Sequence, residues 1–228
     1  MSINIFGPPF DWAATGSMVQ GVATLVGAIA VLGAAKMGAD TFEAWRRQKV
    51  TERHIEQAER ILTAAYKARR ALKYVRSPLV DGWELAAAEE HFKDNHGADW
   101  ENRAGENQQR LKTVRALQNR LIKTADEWSE LNEVLPAARA LFGPDLEDAV
   151  EKLARQFIDV NIMLEAHMDD RGADPDYTRE VKAAIYDVAP HGSVNAVTAV
   201  INEAVAEIET ICLPTIRLEG PKTSVIKK

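Results

Sequence analysis

Cysteine is nearly absent from the 228 residues: Cys212 stands alone. One cysteine excludes an intrachain disulfide framework and suits a reducing compartment. Proline is missing from the whole stretch between Pro9 and Pro78, so nothing there forces a helix to stop. There is no basic excess either. The 28 Lys and Arg residues face 34 Asp and Glu, for a net charge of −6, which argues against nucleic acid as a partner. No strand-like alternation of useful length occurs.

Catalytic signatures are also lacking. The chain has no Gly-x-Ser-x-Gly, no Walker-type glycine loop and no His-Glu-x-x-His. None of the five histidines (His54, His91, His96, His167, His191) follows a glutamate by three residues, as the di-metal carboxylate bundles require. His91, Asp94, His96 and Asp99 are the one local cluster of metal-ligand types. Their setting, rich in Asn, Gly and Glu, reads as a solvated loop. His167 reads as a helix-end histidine and Cys212 as a buried structural thiol. The expectation is a protein that is not an enzyme and carries no cofactor and no metal.

What the sequence does have is an apolar run. Trp12 to Ala35 carries no charge over 24 residues, and a bilayer needs roughly 20. The run is built from Ala, Gly and Val, with Leu25 and Leu32 its only leucines. Lys36, Arg46, Arg47, Lys49 and Arg53 follow it, and no basic residue precedes it. A cleaved export signal would want a basic leading region. A helix buried in a soluble core would not need the charge asymmetry. The expectation is a membrane span with the N-terminus outside and the bulk of the chain in the cytoplasm. Trp12 suits an interface anchor. Trp45 would lie about 15 Å beyond Ala35 on a continuing helix, in the outer headgroup layer.

Two further features sit on this region. Ala23, Gly27, Ala30, Ala34 and Gly38 recur at spacings of three and four and form a small-residue face of the kind that lets helices associate in lipid. Arg46, Arg47 and Lys49 form a basic cluster suited to anionic headgroups. The expected partners are the lipid bilayer and either further copies of the chain or another membrane protein.

Downstream, apolar residues recur at helical spacing. Ile55, Ala58, Leu62, Ala65, Leu72 and Val75 form one stripe, ended by Ser77-Pro78. Asp40 or Thr41 offers a cap for a restarted helix, which allows a hinge near Gly38. A second helix is expected over about 107–135, with Val114, Leu117, Leu121, Ala125, Trp128 and Leu135 on one face, broken by Pro136. A turn of helix covers 137–142. A third runs from Pro144 to about Met168 on Leu146, Val150, Leu153, Phe157, Val160 and Leu164. Trp128 and Phe157 are expected in the core. An acidic loop spans 169–176, a short helix 177–188, and a last helix starts after Ser193 and stops at Pro214.

The fold class is therefore all-α: one N-terminal transmembrane helix continuing into a cytoplasmic antiparallel bundle of about four helices. The expected divisions are an extracytoplasmic segment at 1–11, the span at 12–36, the bundle at 37–216 with an irregular insert at 79–106 that holds a short helix over 84–92, and a flexible tail at 217–228.

The stretches FEAWRRQKVTERHIEQAERILTAAYKARRALKYVRSP (42–78), ARALFGPDLEDAVEKL (138–153) and VAEIETICLPTI (205–216) carry a resemblance. The chain resembles an uncharacterised family of bacterial single-pass membrane proteins with a cytoplasmic helical region. The resemblance implies bacterial inner-membrane topology and supplies no activity. The expected function is a membrane-anchored scaffold whose bundle binds itself or a partner. The alternative is a membrane-perturbing effector of bacterial defence or stress whose span oligomerises. A ligand-sensing bundle is disfavoured, because no polar cluster interrupts the apolar stripes.

Overall fold

The computed structural model describes residues 12–170, 174–188 and 194–218, with side chains from Gln20 onward. Every regular element among them is a helix: α1 (Trp12–Val75), α2 (Gly82–Glu101), α3 (Gly105–Lys123), α4 (Ala125–Glu133), α5 (Leu135–Phe142), α6 (Pro144–Asp169), α7 (Pro175–Ile185) and α8 (Ala196–Ile216). The chain divides into two compact units, 1–53 and 54–228. The N-terminal segment 1–11, the Trp12 side chain, His191 and the tail from 219 lie outside the described residues.

In the first unit, α1 passes through Gly38 without a break, so the hinge that the sequence allows there is not used. The Thr41 hydroxyl donates to the Met37 carbonyl at 2.7 Å. It is thus satisfied within the helix instead of capping a restart.

In the second unit, α6 is the hub and packs against α3, α4, α5, α7 and α8. Its stripe is fully realised: Leu146, Val150, Leu153, Phe157, Val160 and Leu164 are all buried. Ala58, Leu62, Ala65, Leu72 and Val75 join the same core from the end of α1, as do Ile201, Val205, Ile208 and Cys212 from α8. Gly143, at φ 94°, takes a conformation open to glycine, and lets Pro144 begin α6 directly after α5.

Three expectations need correction. The helix expected over 107–135 is broken at Thr124, whose side-chain hydroxyl donates to the carbonyls of Arg120 and Leu121 at 3.2 and 3.0 Å. The helix phase changes there, so Leu131, Val134 and Ala138 carry the core beyond it, and Trp128 is 40% exposed. The insert at 79–106 is mostly helical: α2 runs across it, kinked where Gly97 adopts φ 44°. Phe92 and Trp100 stack at 4.7 Å across that kink. Pro214 does not stop the last helix, because α8 closes its final turn through Arg217 N–H to the Leu213 carbonyl at 2.9 Å.

Candidate functional site

Within the first unit, α1 is long and apolar enough to cross a membrane. Its most apolar 18-residue window has a mean hydropathy of 1.8 and none of it is buried. Val22, Leu25, Ile29 and Leu32 are all exposed. The polar side chains described in this stretch are few, and the Thr24 hydroxyl is satisfied within the helix, donating to the Gln20 carbonyl at 2.9 Å. A low-dielectric medium requires that kind of internal pairing. Ala23, Gly27, Ala30, Ala34 and Gly38 are exposed along the helix. A Cβ added at Gly27 or Gly38 would meet nothing within 4 Å beyond the helix's own backbone.

Arg46, Arg47 and Lys49 are exposed further along α1. Two of them have acidic neighbours: Arg47 pairs with Glu43 at 2.8 Å and Lys49 with Glu52 at 2.7 Å. These are solvent-screened helix-surface pairs of small energetic value.

The second unit holds two buried arginines that the sequence reading did not single out. Arg76 is 1% exposed. Its Nε donates to the Ala184 carbonyl at 2.7 Å, and its Nη2 to Asn195 Oδ1 at 2.8 Å and to the carbonyls of Ala183 and Tyr186. It therefore covers the carbonyl groups that end α7, which have no partner within the helix. Burial lowers the Arg76 pKa, and Asp187 opposes the shift. Asn195 caps α8 at the same time, its Oδ1 accepting from Val197 N and Thr198 N.

Arg120 does the same for the end of α1. It donates to the carbonyls of Ser77 and Leu79 at 3.0 and 2.6 Å and forms a two-pronged pair with Glu84 at 2.7 and 2.5 Å. The Arg120 contact holds the Glu84 carboxyl below its usual pKa. Glu84 also accepts from the Asp81 backbone N–H at 3.0 Å, so one carboxylate starts α2 and anchors α3. These side chains are saturated with protein partners, and their work is structural.

A third polar cluster is not saturated. A cleft of about 1070 Å³ lies against α3, the end of α6 and α7, with Arg110, His167, Thr178, Lys182 and Tyr186 on its walls. His167 is 7% exposed. His167 Nδ1 and Arg110 Nε are buried without a hydrogen-bond partner.

No protein-family model, no curated protein and no solved structure matches the chain.

The remaining candidates have ordinary surroundings. Among the described residues no group of three His, Cys, Asp or Glu is placed to hold a metal. His96 packs on Phe92 at 5.9 Å and His91 lies beside Asn95. Cys212 is buried, and burial pushes its thiol pKa up to about 12, so it carries negligible thiolate at neutral pH. The cleft escaped the sequence reading because its polar residues come from three helices and converge only through packing.

Proposed function

We propose that the protein is a membrane-anchored, non-enzymatic helical interaction protein, spanning the bacterial inner membrane once through the apolar part of α1. The observation that carries this reading is the fully exposed apolar window of α1. Soluble proteins rarely leave a continuous apolar surface larger than a few hundred Å² uncovered, and a bilayer covers one on all sides. The basic residues that follow the segment, with none before it, support an N-terminus outside and a cytoplasmic C-terminal unit. Anchoring concentrates the helical unit in two dimensions, which favours assembly with further copies or with a membrane partner. The small-residue face of Ala23, Gly27, Ala30, Ala34 and Gly38 supports self-association in lipid.

The experiment is affinity purification of the full chain from native membranes in mild detergent, followed by intact-mass measurement. The expected result is an assembly heavier than one chain, made of copies or of copies with a constant partner. A lone monomer at every detergent concentration would overturn the assembly part of the proposal.

A further inference from the structure

The cleft against α3, α6 and α7 has a volume of about 1070 Å³, the size of a small-molecule site. Its walls carry the cationic Arg103, Arg110 and Lys182 beside the carboxylates of Glu106, Asp169 and Asp170. Arg110 comes from α3, His167 from the last turn of α6, and Thr178 and Lys182 from α7. These donors are far apart in sequence and converge only through packing.

Most buried polar groups in proteins find a partner; the Arg76 and Arg120 networks of this unit obey that rule, while Arg115 Nε and Glu127 Oε2, outside the cleft, do not. Arg76 and Arg120 have their guanidinium groups surrounded by acceptors. At the cleft, His167 Nδ1 and Arg110 Nε have none. Arg110 does have one acceptor, since its Nη1 donates to the Asp170 carbonyl. The Asp170 carboxylate accepts from the Thr178 hydroxyl at 2.7 Å. The polar residues are thus held in place while Arg110 Nε and His167 Nδ1 have no protein partner.

The field at His167 has the sign an anion needs. Burial lowers the His167 pKa, Arg110 and Lys182 lower it further, and Asp170 alone opposes them. An anion in the cleft relieves that positive field. Glu106 and Asp169 also line the cleft. Their charges disfavour a polyanion such as a nucleic-acid backbone and leave a small ligand with a single anionic group as the better fit.

We propose that this cleft binds the carboxylate or phosphate group of a small organic molecule, held by Arg110, His167 and Lys182. The ligand ties α3, α6 and α7 together and so gives the helical unit an input, independent of whether α1 spans a membrane.

The test uses the full chain in mild detergent, titrated separately with inorganic phosphate and with acetate at constant ionic strength, chloride being the balancing ion. The readouts are the ring ¹⁵N signals of His167, assigned through His167→Gln, and the thermal unfolding midpoint. The expected result is a saturable shift of the His167 signals with at least one of the two anions, accompanied by a raised midpoint. Phosphate alone or acetate alone identifies which group the ligand carries. Lys182 is exposed, so Lys182→Glu leaves the core intact. It is expected to weaken binding about tenfold or more, the loss of one charge-assisted interaction. Arg110→Gln is expected to do the same. Arg70→Glu, an exposed change on α1, is expected to leave binding unaltered. No saturable response to either anion overturns the proposal, as does a response of equal strength in Lys182→Glu and Arg110→Gln.

Discussion

Arg76 Nη2 donates to Asn195 Oδ1 over 2.8 Å, joining the end of α1 to the start of α8 across 119 residues of sequence. The contact closes a ring: Arg76 Nη1 donates to Thr198 Oγ1 at 2.9 Å, Thr198 donates to Asp187 Oδ1 at 2.5 Å, and the Asp187 N–H donates to the Arg76 carbonyl at 2.7 Å. Removing the guanidinium takes the side-chain donor from the Ala184 carbonyl in a buried place, while the Ala183 carbonyl keeps Asn195 Nδ2 at 2.7 Å. Arg76→Ala is therefore expected to destabilise the second unit by about 3–5 kcal/mol. Arg76→Lys is not expected to restore it, because an ammonium cannot reproduce the planar fork. Urea unfolding in detergent measures both. A loss below about 1 kcal/mol for Arg76→Ala would contradict the ring's role.

The Glu84–Arg120 pair gives an acid-dependent prediction. Arg120 lowers the Glu84 pKa below its ordinary 4.5, so near that pH the unfolded chain binds more protons than the folded one. The pair's stabilisation is present above the ordinary value and is lost as pH falls through the lowered one. Glu84→Gln is expected to cost about 1–3 kcal/mol at neutral pH. Its deficit against the parent chain should shrink as unfolding is followed down through pH 4.5. A deficit independent of pH would exclude a charged pair.

His167 behaves as a base whose charged form the fold disfavours. Arg110 from α3 and Lys182 from α7 add to the effect of burial, while Asp170 at the end of α6 counters it. The stabilisation is full above the ordinary histidine value of 6.5 and declines as pH falls from there toward the lowered folded value. Histidine ring NMR in the absence of added anions is expected to give a His167 midpoint below 6.5. A midpoint at or above that value would contradict the positive field.

Gly27 offers a clean substitution on α1. A Cβ added there meets no neighbouring side chain within 4 Å, and the position is exposed on a continuous helix, so Gly27→Ile is expected to leave the fold of a single chain intact. If the small-residue face packs copies together in lipid, the variant is expected to shift the detergent-solubilised protein toward smaller assemblies. Light scattering on matched preparations checks this; an unchanged mass rules the face out as the packing surface.

The parts of the fold legible in sequence are those set by a sustained helical period. The α6 stripe from Leu146 to Leu164 is the clearest case, with every member buried. Where the backbone leaves helical geometry, the period misleads. Thr124, at φ −104° and ψ 17°, ends α3, and extending the stripe past that point puts the exposed Trp128 in the core. The kink at Gly97 likewise hid the length of α2. The arginine networks were illegible for another reason. The acceptors of Arg76 and Arg120 are largely backbone carbonyls, which carry no residue signature. The cleft's unpartnered nitrogens became visible only when three helices were packed together. The apolar run of α1 was legible from composition alone, and its structure adds that none of the most apolar window is buried.

The anchoring proposal is tested most directly by alkaline carbonate extraction of bacterial membranes containing the full chain, with intact-mass measurement of the protein in each fraction. The expected result is an uncleaved chain retained in the membrane pellet. Release of the intact chain into the supernatant, or recovery of a chain shortened near Ala35, would contradict it.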